Sequence, residues 1–144
     1  EEVGCRGAAT AAYSVNPDIA LIVETTTSAD FDDESISEPS TRLGAGAAIS
    51  LFDRGSYSDK KIVKALVKCA KQDNIAFQFK QTTKGANDAR AIHLSREGIR
   101  TGVISVPCRY IHSPACVASF FDINSCKLIL QNFLKNKEAA NWNC

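Results

Sequence analysis

Apolar and polar positions along the chain switch between helical and strand spacing, and the switches mark eight elements. "GAATAAYSV" is rich in alanine and stopped by Asn16-Pro17, which predicts a short helix packed closely on a sheet. "DIALIVETT" is an almost continuous apolar run that ends in Glu24, the pattern of a strand covered on both faces. The chain is polar and acidic from Thr25 to Leu43, a long surface loop of the kind that often carries function. "GAGAAISLFD" then brings a short strand.

From Ser58, the expected N-cap, "SDKKIVKALVKCAKQDN" sets Ile62, Leu66 and Cys69 on one side and lysines on the other, an amphipathic surface helix. "IAFQFKQTT" alternates and predicts a strand with one wetter face, near a sheet edge. "ANDARAIHLSREG" predicts a helix closed by Gly98. "RTGVISVPCRY" predicts a buried strand in which Pro107 weakens pairing. "SPACVASFFDINSCKLILQNFLKN" opens on Ser113 as cap and Pro114 at the first helical position. It predicts one long helix, or two with a bend near Asp122.

This order belongs to the α/β class, a layered sheet flanked by helices. A length of 144 residues with 44% apolar composition suits one domain with a real core. The 17 basic and 16 acidic residues nearly cancel, and no basic cluster interleaves with aromatics, so nucleic acid is not an expected partner. The longest apolar runs are too short for a bilayer, so no membrane partner is expected and a cytoplasmic protein is. The six cysteines, Cys5, Cys69, Cys108, Cys116, Cys126 and Cys144, are irregularly spaced and read as free thiols. Cys108, His112 and Cys116 stand four residues apart, but Pro114 argues against the unbroken helix a metal face there would need. The chain contains no methionine, and the expectation is an internal piece of something longer.

Ligands of open α/β sheets collect outside the carboxyl ends of strands. Glu24 closes one strand there and His112 follows another. A carboxylate after five apolar residues needs a cation or hydrogen bonds if buried; the alternative is an exposed strand-end acid. Glu1 and Glu2 diverge as neighbours, so one can bind metal while the other serves as general base, and the positive end of the following helix favours both charges. Such parts suit metal-assisted hydrolysis, in which a cation acidifies water and polarises a carbonyl. Asp88 and His93 are further candidates for lining a site, although five residues apart on one helix they face different ways. His93 reads equally well as a satisfied helix histidine.

Taken together, "EEVGCRGA", "NPDIALIVETT" and "ANDARAIHLSREGIRTGVISVPCRYIHSP", followed by the long closing helix, resemble the glutamyl or deblocking aminopeptidases. These are two-metal metallopeptidases, some of whose members carry the name cellulase or endoglucanase, and the resemblance runs from Glu1 to about Leu134. It implies that the chain is the C-terminal half of such a catalytic domain. Glu1 would match the catalytic base, Glu2 and Glu24 the acidic metal ligands and His112 the histidine ligand of "RYIHSP", with Asp88 and His93 near the substrate. Family members often have aspartate at the position of Glu24, and "GGTDA" where this chain has "GANDA" from Gly85 to Ala89. The implied cofactors are two divalent ions, zinc or cobalt. The implied partners are a peptide substrate and, for the full-length parent, further copies of itself.

Residues 1–144 lack the family's upstream histidine, its bridging aspartate and its inserted β domain. The chain by itself is therefore expected to bind metal weakly, to lack activity, and to expose a sheet edge and an apolar face. Two other readings remain at this point. One is hydrolysis of a different amide or of a glycoside, although a glycosidase needs two carboxylates across the sugar. The other is a non-catalytic assembly fragment, in which Glu1, Glu2, Glu24 and His112 would be scattered and solvated.

Overall fold

The computed structural model describes residues 1–30 and 39–136. Part of the acidic loop, Cys144 and the rest of the C-terminal tail lie outside them. Among the described residues four helices, α1 (Arg6–Val15), α2 (Lys60–Gln72), α3 (Ala89–Ile92) and α4 (Phe120–Lys135), accompany five strands, β1 (Ile19–Thr27), β2 (Ala47–Ser50), β3 (Phe77–Phe79), β4 (Arg100–Arg109) and β5 (Val117–Ala118). The sheet order is β1-β4-β2-β3, with β5 paired to the end of β4. β1 runs parallel to β4 from Ile19↔Arg100 to Thr27↔Cys108, β2 is parallel to β3 and antiparallel to β4, and β4–β5 is a hairpin.

Helices cover both faces of this sheet. On one, Ile62 and Leu66 of α2 and Cys126, Ile129 and Phe133 of α4 pack on Ile49, Ile104 and Val106. Ile62 comes so near Gly102 that a β-carbon there would collide with its Cγ2, so the glycine lets α2 sit against β4. On the other face, Ala89 of α3 meets Ile22 and Val103. Gly46, at φ +89° and with the Ala76 carbonyl where a β-carbon would stand, admits no side chain.

Several sequence expectations move. α1 packs on α3 rather than on the sheet. β1 is an edge strand rather than one covered on both faces, and Val23 is 55% exposed. The α2 cap is Asp59 rather than Ser58: its carboxylate accepts from Lys61 N (2.7 Å) and Ile62 N (3.2 Å), the bonds of an N-cap residue. The helix predicted up to Gly98 is the single turn α3. Beyond it Arg96 turns left-handed (φ 51°) and reaches α1, its Nε donating to the Tyr13 carbonyl (2.8 Å) with the guanidinium over the Tyr13 ring.

The final helix starts at Phe120 under a Ser119 cap, not at Ser113-Pro114. Ser113 is instead tied into the hairpin turn through Tyr110 O and Ala115 O, both at 2.6 Å. The expected bend near Asp122 is absent, because Asp122 lies in the first turn of α4. Its buried carboxylate accepts from Gly44 N and Gly46 N, each at 2.7 Å, and so pins the chain leading into β2. β3 does lie at an edge, as the alternation predicts.

Candidate active site

The parallel pair β1–β4 ends beside a cavity of about 780 Å³ that Glu1, Glu2, Glu24 and His112 all line. Each is brought there by a different local structure. Glu1 and Glu2 lie in a turn closed by Gly4 N and Cys5 N, which both donate to the Glu1 carbonyl at 2.9 Å. Cys5 fixes this turn against the protein: it is buried, left-handed (φ 56°), and its thiol reaches Glu1 Oε1 (3.8 Å) and the Asn87 carbonyl (3.6 Å). His112 sits in the β4–β5 turn, also left-handed (φ 65°), a conformation held only where its surroundings fix it. His112 Nδ1 lies 3.2 Å from Glu2 Oε1, with both side chains more than half exposed.

Glu24 is the half-buried member. Its register partner on β4 is Ser105, and Ser105 Oγ (3.3 Å) and Asn87 Nδ2 (3.4 Å) both donate to Oε1. Asn87 is itself locked, with Nδ2 also donating to Asp53 Oδ2 (3.0 Å) and Oδ1 accepting from Ala89 N (2.9 Å). Asp53 is anchored by Gly55 N and Ser56 N at 2.7 and 2.8 Å. Burial raises the Glu24 carboxyl from 4.5 to about 7; the Lys80 charge and the Ser105 bond oppose the rise, while Glu1 and Asp53 add to it. Glu24 therefore sits where a further positive charge would be strongly favourable.

Asp88 and His93 are not among the cavity's lining residues. Asp88 precedes α3 and interacts with the Cys5 thiol. The His93 ring Nδ1 lies 2.6 Å from the Ala89 carbonyl, the arrangement of a satisfied helix histidine. Among the described residues no cluster of three or more histidine, cysteine or acidic side chains is close enough to hold a metal by itself, which covers Cys108, His112 and Cys116 as well. Sequence reasoning missed Asn87, Ser105 and Asp53, the groups that position Glu24. Asn87 carries a signal in hindsight: an amide two residues before a helix's first N–H is a capping position.

A family model described as M42 glutamyl aminopeptidase matches residues 1–129. The chain belongs to that family. A putative aminopeptidase of Acetivibrio thermocellus is 42% identical over 130 residues, covering 90% of this chain and 39% of its own length. A glutamyl aminopeptidase of Lactococcus lactis subsp. cremoris is 31% identical over 135 residues, covering 94% and 36%. An aminopeptidase from the archaeon Desulfurococcus kamchatkensis superimposes with a TM-score of 0.89 at 39% identity, over 94% of this chain and 38% of that one. The M42 chain described here thus spans well under half the length of the relatives it matches, and its α/β layers are those of their aminopeptidase domains. No helix among its described residues is long and apolar enough to cross a membrane.

Proposed function

We propose that this chain carries part of the catalytic centre of a metal-dependent aminopeptidase, which removes N-terminal residues from peptides. The observation that supports it most is the meeting of Glu1, Glu2, Glu24 and His112 on one cavity at the carboxyl ends of β1 and β4. Carboxylate oxygen and imidazole nitrogen form the donor set that divalent zinc or cobalt accepts. A half-buried carboxylate raised to about 7 mainly by its burial fits a cation too. Glu2, Glu24 and His112 would hold the metal, completed by ligands from the full-length protein. When bound, it would polarise the scissile carbonyl and make water a better nucleophile near neutral pH.

The chain's own residues supply the remaining tasks. Glu1, held by its turn at the cavity wall, takes the proton of the attacking water and returns it to the leaving amine as the C–N bond breaks. Asn87 and Ser105 fix Oε1 of Glu24, whose residue lines the cavity. Asp88, through Cys5, and His93 are proposed to act near the substrate from outside the lining itself. In the full-length protein we place this centre in a homo-oligomer in the cytoplasm. The support for the assembly is a TET peptidase of Pyrococcus horikoshii, a structural neighbour that can assemble into a tetrahedron or a large octahedral shell.

Glu1→Gln in the full-length protein tests the reading. Hydrolysis of aminoacyl anilides should fall about 10²–10⁴-fold while elemental analysis shows the metal retained. Activity that persists in the metal-loaded variant would remove Glu1 from the role of base.

A further inference from the structure

Two cysteines flank the loop that carries His112, and neither is used by the chemistry above. β4 and β5 pair with Cys108 opposite Ala118 and Arg109 opposite Val117. Alternate residues of a strand share a face, so Cys116, two residues before Ala118, projects to the side on which Cys108 lies. Burial pushes the Cys108 thiol up, and the nearby Cys116 thiol adds to the rise. Their settings are opposite: Cys108 is 1% exposed, whereas Cys116 is exposed and lines the cavity. Between them the chain is tightly wound, with Tyr110 and His112 both left-handed and Ser113 bonded across the turn.

We propose that Cys108 and Cys116 form a thiol–disulfide exchange site whose closure clamps the loop carrying His112. The co-reactant is a small-molecule disulfide such as oxidised glutathione. The Cys116 sulfur, after losing its proton, attacks one sulfur of that disulfide; a mixed S–S bond forms and the first small thiolate departs. The Cys108 sulfur then gives up its proton and attacks the Cys116 sulfur, forming the intramolecular bond and expelling the second thiolate. Two cysteine sulfurs are oxidised, one small disulfide is reduced to two thiols, and the two protons released are taken up by the two departing thiolates.

The exposed sulfur must act first, because access controls exchange and burial disfavours the thiolate at Cys108. Diagonal partners on a hairpin stand about 7–8 Å apart, and a disulfide needs Cα atoms within about 4.4–6.8 Å. Closure therefore draws position 116 toward β4 by roughly an ångström. Residue 116 lies just before β5, outside the hydrogen-bonded ladder, so the turn moves and the strand need not. The sulfur chemistry stands independently of the aminopeptidase reading, and its test needs no turnover.

The chain is treated with oxidised glutathione, and intact mass, thiol titration and tryptic mapping are compared with an untreated sample. The expected product has lost two hydrogens and two of its six thiols, is reversed by dithiothreitol, and joins the peptides on either side of Arg109 through Cys108 and Cys116. Hydrogen exchange across residues 110–116 should slow in that product. Cys116→Ser should abolish the link, and Cys108→Ser should stop the reaction at a stable glutathione adduct on Cys116. A stable adduct on Cys116 of the unaltered chain with Cys108 still open to alkylation, or a link between other cysteines, would overturn the proposal. Unchanged exchange in the linked product would overturn the clamp.

Discussion

Replacing Glu24 by glutamine isolates the cost of holding a carboxylate between β1 and β4. The carboxyl goes from 4.5 to about 7 on folding, a gap worth about 3 kcal/mol at roughly 1.4 kcal/mol per pH unit. Since the side chain keeps some contact with water, about 2 kcal/mol is the figure to expect. The sign follows from the raised value. The folded protein holds this proton more tightly than the unfolded chain, so the favourable contribution is complete below about pH 4.5 and disappears as pH rises through about 7. Glu24→Gln retains an acceptor for Ser105 and Asn87 and has no proton to lose. Urea unfolding near pH 5 and near pH 8 should show the unaltered chain losing about 2 kcal/mol more than the variant between the two conditions. Parallel pH profiles for the two proteins would refute the argument that burial of this side chain sets its charge. The same experiment bears on function, because a carboxylate that destabilises its own fold when ionised is relieved by a cation.

Two further outcomes concern stability. Asp122→Ala strands the amides of Gly44 and Gly46, two bonds to a carboxylate at about 1.5–3 kcal/mol each, so the urea midpoint should fall by the equivalent of about 3–6 kcal/mol; Asp122→Asn, with one acceptor oxygen, should recover at most half. Asp30 accepts from Arg109 Nε (2.8 Å) and Nη2 (3.1 Å) and from Leu43 N (2.8 Å), and the guanidinium holds its carboxyl well below the usual carboxylate range. That contribution is present above about pH 4 and lost as pH falls below it, so Arg109→Met should flatten the acid limb of the stability profile followed by circular dichroism.

Alternation and residue spacing made the sheet and most helices legible because those signals are local, whereas the caps expected at Ser58, Gly98 and Ser113 all lie elsewhere. The alanine-rich α1 and the amphipathic α2 follow directly from residue spacing. What escaped was decided by distant partners: Arg96 unwinds the end of the predicted third helix by reaching Tyr13, and Asp122 marks a helix start because two glycine amides 76 and 78 residues away need its oxygens. β1 reads as doubly covered because a nearly continuous apolar run looks alike at an edge and at a centre, and only the pairing order separates them. For the site, His112 does follow β4, but Glu24, read as closing its strand, stands inside β1, because the threonines after it stay paired to β4 as far as Thr27; Asn87, Ser105 and Asp53 are ordinary polar residues until the fold brings them to one carboxylate.

The parallel pairing of β1 with β4 also fixes the order in which the chain can take shape during synthesis. Among the described residues β1 pairs with β4 alone, whose first partner residue, Arg100, stands 81 positions beyond Ile19. Glu24 cannot meet Ser105, nor Glu2 meet His112, until the ribosome has released the chain past the β4–β5 turn. Glu1, Glu2 and Glu24 thus leave the ribosome before the partners that hold them at the cavity. The cavity is a product of long-range closure, the slow class of contact, and the nascent chain offers it to a metal or a substrate only after the β4–β5 turn has left the exit tunnel.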